Sequence, residues 1–148
     1  MRPPHLLRVE DGPEHFAPLL AAIAAAGLRA GWLELGPAEP AAGSLEAAAA
    51  LGARRAVAAG GGRSVALKLL RGEPVLRDLL REHFSGCALV LVRAPGAPPT
   101  AVPLAAAPAL SPAGDGWRIE PAGDAAAQQF DTPGLISALR QPRPWEQG

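Results

Sequence analysis

One apolar stretch, CALVLVRA at residues 87–94, sets the expected architecture of this chain. It runs without a polar residue from Cys87 to Val92. Such continuity is typical of a strand that is buried on both faces of a parallel sheet. Because parallel strands need long crossover connections, which helices usually provide, the stretch predicts an α/β fold with a largely parallel sheet.

Strand-like and helix-like segments alternate on the amino-terminal side of this stretch. We predict strands over residues 5–10 and 28–35, a helix over 16–26 that ends at Gly27, and a short helix between Ser44 and Gly52. Two strand-like runs around Gly60, Gly61 and Gly62 predict a β-hairpin.

The segment PVLRDLLREHF (74–84) predicts an amphipathic helix. Its apolar side comprises Val75, Leu76, Leu79, Leu80 and Phe84. Further along, TAVPLAA (100–106) and WRIEPA (117–122) predict weaker, peripheral strands, since each contains a proline. A last helix is expected over TPGLISALRQ (132–141). We therefore expect one domain over residues 1–140, followed by a proline-rich tail over residues 141–148.

The composition argues against nucleic-acid binding and against a membrane span. Fourteen basic and 14 acidic residues give a formal net charge of +0, so no basic excess is available to neutralise nucleic-acid phosphates. No apolar run reaches the roughly 18 to 20 residues of a membrane span. Cys87 is the single cysteine and cannot form an internal disulfide. We interpret it as a core residue of a cytoplasmic protein.

Chemistry-bearing side chains form no recognisable constellation. His5, His15 and His83 lack the spacing of metal ligands, so we expect no metal site. His83, on the amphipathic helix, is interpreted as a surface or boundary residue. No serine or cysteine nucleophile stands beside a base in a known motif, so we expect no catalytic residue.

The stretch RVEDGPEHFAPLLAAI (8–23) has the strand–turn–helix frame in which a phosphate-binding loop normally lies. Such a loop needs converging glycine amides, a lysine that neutralises phosphate and a hydroxyl that binds Mg²⁺. Aligned on the Leu-Leu pair that follows, the lysine position falls at Phe16 and the hydroxyl position at Ala17. Neither side chain can perform the required task.

The same turn carries negative charge. Asp11 and Glu14 would lie where phosphate should bind. Their spacing is that of a capping box, and Pro13 suits the first turn of a helix. The residues therefore favour an ordinary capped turn between strand and helix.

Two further positions bear on anion and metal binding. A carboxylate at the end of a buried strand often holds Mg²⁺, but the strand LVLV is flanked by Ala88 and Arg93. The GGGRS turn (60–64) is either a hairpin tip or an amide nest in which Arg63 is an anion ligand. We favour the hairpin tip.

From Gly43 onward the chain resembles the molybdopterin-guanine dinucleotide biosynthesis adaptor proteins, the MobB family. The resemblance lies in the order and length of segments over most of the chain. The matching pieces are AAGSLEAAAALGA (41–53), RRAVAAGGGRSVALKLL (54–70), PVLRDLLREHFSGCALVLVRAPG (74–96), PPTAVPL (98–104), IEPAGD (119–124) and FDTPGLISALRQ (130–141).

The resemblance implies a P-loop-NTPase-like three-layer sandwich, in which helices flank a mostly parallel sheet that carries a β-hairpin. It also implies GTP and Mg²⁺ as cofactors, and a homodimer formed through sheet edges. The family's phosphate-loop lysine and hydroxyl correspond to Phe16 and Ala17. The aspartate and glutamate of its DLVLVEG strand correspond to Ala88 and Arg93. The degenerate phosphate loop comprises Asp11, Gly12, Pro13, Glu14, His15, Phe16 and Ala17.

Residues and resemblance together predict a non-catalytic MobB-like adaptor linked to molybdenum cofactor biosynthesis or molybdoenzyme maturation. GTP binding would be lost or much weakened. The expected partner is the molybdopterin guanylyltransferase, a molybdoenzyme or its chaperone. One alternative is a GTP-binding protein of the same pathway in which Arg63 and Arg93 replace the lost lysine. A second alternative is an unrelated small α/β interaction domain.

Overall fold

The computed structural model of the chain describes residues 2–34, 47–48, 50–53, 55–68, 70, 72, 75–94, 107–142 and 144–145. The chain divides into two compact units, residues 1–37 with 75–148, and residues 38–74. We describe each unit by itself.

The strands and helices follow the alternation that the sequence predicts. The strands are β1 (His5–Val9), β2 (Ala30–Glu34), β3 (Arg55–Gly60), β4 (Arg63–Lys68), β5 (Leu89–Arg93), β6 (Ala109–Ala113), β7 (Gly116–Glu120) and β8 (Gln128–Phe130). A 3₁₀ turn (Pro13–Phe16) leads into α1 (Ala17–Ala25), and the later helices are α2 (Leu76–His83) and α3 (Thr132–Leu139).

The larger unit contains a six-stranded sheet in the order β2-β5-β1-β6-β7-β8. Strands β2, β5, β1 and β6 are parallel, whereas β7 pairs antiparallel with β6 and β8 pairs antiparallel with β7. The predicted mixed α/β fold with a mostly parallel sheet is confirmed. The apolar stretch forms β5, which lies between β1 and β2.

Strand β5 is buried on both faces, as its composition predicts. Leu89 and Leu91 belong to the larger core cluster, to which α1 and α3 also contribute. Val90 and Val92 belong to a second cluster that contains Leu76 of α2. Because successive side chains of a strand point to opposite faces, one strand anchors helices in two layers.

Local signals define most of the helix ends. The helix α1 ends in a Schellman motif, in which the Leu28 amide donates to the Ile23 carbonyl and Gly27 has a φ of 74°. The helix α2 directs Leu76 into the core, and Leu79 and Leu80 pack beside it. The prediction that Val75 lies on the apolar side of this helix is wrong. Val75 is the N-cap of α2, and it is 42% exposed.

Several sequence predictions need correction. Asp11 does not cap the helix: Gly12 occupies the N-cap position, with no side-chain hydrogen bond. The second strand begins at Ala30, because residues 26–28 complete the end of α1. Strands β6 and β8 were not predicted. The TAVPLAA segment (100–106) and Ser44 lie outside the described residues.

The smaller unit contains the predicted hairpin. Strands β3 and β4 pair antiparallel from Arg55↔Lys68 to Gly60↔Arg63. Gly61 and Gly62 have φ angles of 58° and 76°, which a two-residue type I′ turn requires at both positions. Gly52 has a φ of 107° and ends a helical segment, as predicted.

Within the larger unit, the described part of the tail contacts the start of β1 and the end of β8. The ring of Trp145 lies 5.8 Å from that of His5 and 5.9 Å from that of Phe130, measured between centroids. Among the described residues there is no helix of the length and apolarity that crossing a bilayer requires.

Candidate functional site: the turn after strand β1

The turn after β1 lies at the carboxyl edge of the parallel strands. In the sheet register Val9 of β1 pairs with Arg93 of β5, and Arg93 pairs in turn with Glu34 of β2. Open α/β sheets bind ligands outside the carboxyl ends of their strands. This edge is therefore where a nucleotide would be expected, and its side chains decide what can bind.

The backbone of the turn uses its own amides. The His15 amide donates to the Gly12 carbonyl at 3.2 Å, and the Ala17 amide donates to the Glu14 carbonyl. Pro13 has no amide proton. These bonds close a 3₁₀ turn, whereas a phosphate loop directs its amides at the ligand. The amides of His15 and Ala17 are therefore not directed at a ligand.

Glu14 folds over the turn. A Cβ placed on Gly12 would lie 2.6 Å from both carboxylate oxygens of Glu14, so this carboxylate rests directly against the Gly12 backbone. Glu14 also lies 3.6 Å from Nε2 of His15, with both side chains largely exposed. A negative group thus covers the position at which a phosphate would approach the turn.

Phe16 points into the core. Its side chain is 0% exposed. Its ring centroid lies 5.8 Å from that of Trp117 at an interplanar angle of 21°, and 6.0 Å from that of Trp32 at 48°. We call Phe16, Trp32 and Trp117 the aromatic triad. The indole of Trp117 is fixed in turn, since its Nε1 donates to Oγ1 of Thr132 at 3.0 Å.

Arg93 is already engaged at this edge. Its Nε donates to the Glu10 carbonyl at 3.2 Å, and its Nη1 lies 3.4 Å from Oε1 of Glu34. The same Glu34 oxygen accepts a hydrogen bond from Nε1 of Trp32 at 3.2 Å. These contacts bind the ends of β1, β2 and β5 together, and they leave the guanidinium committed to protein groups.

The charges around the turn are mainly negative. Glu10, Asp11, Glu14 and Glu34 are exposed here, and Arg93 is paired. Segments 35–46 and 95–106, which follow β2 and β5, contain neither lysine nor arginine in their sequence. A nucleoside triphosphate with its bound cation needs the opposite balance. The residues present do not fit GTP with Mg²⁺.

The other predicted site residues lie elsewhere or outside any cluster. Ala17 is exposed at the start of α1. Arg63 opens β4 in the smaller unit. Cys87 is half-buried beside the second core cluster, which is a more peripheral place than its prediction as a core residue. His83 is exposed, as predicted. Within the described ranges, no group of three His, Cys, Asp or Glu side chains could hold a metal ion.

Sequence reasoning missed the partners of Phe16 and Arg93. Trp32 and Trp117 stand far from the turn in sequence, and no local periodicity connects them to it. One signal was present: an apolar ring in place of a cation indicates that the side chain turns inward.

Comparison with protein-family models found no matching family, and comparison with curated proteins found no match.

Proposed function

We propose that this chain is a non-catalytic MobB-like adaptor, linked to molybdenum cofactor biosynthesis or molybdoenzyme maturation, in which GTP binding is lost or much weakened. The sequence resemblance supports the family. The geometry of the turn after β1 supports the loss of nucleotide binding.

The topology supports the turn as the place of a former P-loop-type site. The connection after β1 leads to β2 on one side of the sheet order, and the connection after its parallel neighbour β5 leads to β6 on the other. Adjacent strands whose connections diverge form a topological switch point, where ligands of open α/β sheets bind. A binding loop at this place fits the scaffold that the resemblance implies.

The single observation that carries the loss of nucleotide binding is the burial of Phe16. The position that the resemblance assigns to the phosphate-loop lysine holds a 0% exposed ring inside the aromatic triad. Exposing this ring to admit a phosphate would sacrifice roughly 1.5–3 kcal/mol of hydrophobic burial. The Glu14 carboxylate adds repulsion at the same turn.

A calorimetric titration of the full chain with GTP and MgCl₂ tests this part of the proposal. We expect neither saturable heat nor thermal stabilisation at nucleotide concentrations up to about 1 mM. A dissociation constant above that concentration corresponds to a binding free energy weaker than about 4 kcal/mol. A GTP-binding member of the MobB family, measured alongside, serves as the positive control. Micromolar affinity or GTP turnover by this chain would overturn the proposal.

The alternative that uses arginine contacts makes a distinct prediction. If Arg93 replaced the lysine, GTP would raise the melting temperature of the wild type and Arg93→Ala would abolish that rise. The present contacts of Arg93 with Glu34 and Glu10 speak against this role.

The adaptor role is tested by direct binding. The purified chain is titrated with the molybdopterin guanylyltransferase and with the molybdoenzyme chaperones of the same organism. We expect saturable binding to one of them, with an affinity that GTP does not change. Failure of all of them to bind would contradict the adaptor assignment, even if nucleotide binding proved absent.

A further inference from the structure

A concave site lies at the amino-terminal end of β1, opposite the turn. It is a cleft of about 290 Å³ between the chain segment that enters β1 and the helix α2. The residues that line it include Arg2, Pro3, Pro4, Arg77, Leu80 and Arg81. Three arginines thus line one small cleft in a chain whose formal net charge is +0. We call it the arginine cleft.

Arg2 is held in place by the end of α3. Its Nη2 donates to the Leu139 carbonyl at 2.8 Å, and its Nη1 donates to the Arg140 carbonyl at 3.3 Å. A cation is stabilised at the carboxyl end of a helix, where carbonyls lack helical partners. Arg2 therefore carries its charge beside the cleft without a carboxylate among the described residues to neutralise it.

Arg77 and Arg81 stand four residues apart on α2, so both guanidinium groups project from the same side of the helix. Arg81 pairs with Asp78 at 3.3 Å. In the described part of the chain, Arg77 makes no hydrogen bond or ion pair. Like charges at this spacing repel each other, and an anion bound at Arg77 would relieve that repulsion.

The remaining walls define what kind of anion fits. Pro3, Pro4 and Leu80 contribute apolar surface to the lining of the cleft. Guanidinium groups bind phosphate and carboxylate oxygens in pairs of parallel hydrogen bonds. The volume lies at the lower limit of small-molecule pockets. A compact ligand with one anionic head and a short apolar body satisfies each of these features.

We propose that the arginine cleft binds a small organic anion, with its phosphate or carboxylate head on Arg77, close to the charge of Arg2, and its apolar body against Pro3 and Leu80. The cleft lies at the other end of β1 from the aromatic triad. The proposal is therefore independent of the adaptor function, and each can fail without the other.

The test is a calorimetric titration of the full chain with phenyl phosphate, benzoate and inorganic phosphate. We expect phenyl phosphate to bind more tightly than inorganic phosphate, because only its ring reaches the apolar wall. Saturable binding of either phenyl phosphate or benzoate at the cleft supports the proposal. The tighter binder of the two identifies the preferred head group, phosphate or carboxylate.

Two variants locate the binding. Arg77→Ala removes an exposed side chain from a helix and introduces the best helix former, so we expect it to fold. It should weaken binding about tenfold, equivalent to about 1.4 kcal/mol. Arg118→Ala is the matched control: it also removes one exposed arginine, but from β7, where Arg118 is paired with Glu120 at 2.9 Å. It should change affinity less than about twofold.

Three results would overturn the proposal. They are the absence of saturable binding by all three anions, equal weakening by the two variants, and full affinity in Arg77→Ala with circular dichroism showing an unchanged fold. Equal weakening would mean that the anions respond only to total charge.

Discussion

The ring of Phe16 stacks on the indole of Trp117, with centroids 5.8 Å apart and planes 21° from parallel. This contact joins the turn after β1 to a strand on the antiparallel side of the sheet. Trp32 completes the triad from β2. The residue at the position where the resemblance would place a cation is thus a packing element that connects three parts of the larger unit.

The first prediction concerns that packing. Phe16→Ala should lower the free energy of unfolding by about 3–5 kcal/mol, because it removes a fully buried ring and leaves a cavity. Urea denaturation followed by tryptophan fluorescence measures the loss. Ala17→Ser, at the exposed neighbouring position, should stay within about 0.5 kcal/mol of the wild type. A cost below 1 kcal/mol for Phe16→Ala would show that the ring is not an anchor.

The second prediction concerns the close approach of β7 and β8. A Cβ on Gly116 would collide with the Phe130 carbonyl oxygen, which is backbone and cannot rotate away. Gly116→Ala should therefore destabilise the fold by about 1–3 kcal/mol. Gly123→Ala is the control, since a Cβ there meets nothing within 4 Å. Similar thermal midpoints for the two variants would contradict this packing.

The third prediction concerns the start of α3. Oδ1 of Asp131 accepts a hydrogen bond from the Gly134 amide at 2.7 Å, which satisfies one of the unpaired donors of the helix. Asp131→Ala should cost about 1 kcal/mol, whereas Asp131→Asn retains an accepting oxygen and should cost much less. Chemical denaturation of the pair measures the difference. Equal losses would mean that the cap contributes nothing specific.

The fourth prediction concerns pH. Burial lowers the pKa of His5 below its ordinary value of 6.5, and the nearby Arg2 guanidinium acts in the same direction, against the raising effect of the hydrogen bond with the Leu139 carbonyl. The folded state therefore favours the neutral imidazole. Its stability contribution is fully present above pH 6.5 and declines as the pH falls through the lowered pKa, because the unfolded chain takes up the proton first.

Stability curves at several pH values between about 7 and 5 test this expectation. His5→Gln should flatten the acid decline. An acid decline of the same size in His5→Gln would assign it to other groups.

Much of the fold was accessible to local patterns, and the exceptions have physical reasons. The apolar run of β5, the Gly27 stop and the Gly61-Gly62 turn carry their information in a few adjacent residues. Strand β6 contains Pro112, and β8 is only three residues long. Their strand conformation comes from pairing with β7 rather than from their own composition.

Some features of the candidate site can likewise be predicted from the local sequence, and others cannot. Residue identity alone shows that the turn lacks a lysine and a hydroxyl. The capping role assigned to Asp11 failed, because the chain begins its 3₁₀ turn one residue later and the Glu14 side chain folds back on Gly12. Which partners Phe16 and Arg93 acquire depends on the strand order.

By itself, the sequence determined the α/β class, the central buried strand and the lack of a lysine and a hydroxyl at the turn after β1, since these follow from residue types and from periodicities within one segment. Only the tertiary structure decided that Phe16 joins two tryptophans and that Arg2 and Arg77 line the same cleft. Such contacts join residues far apart in the chain, and sheet order, rather than local propensity, makes them neighbours.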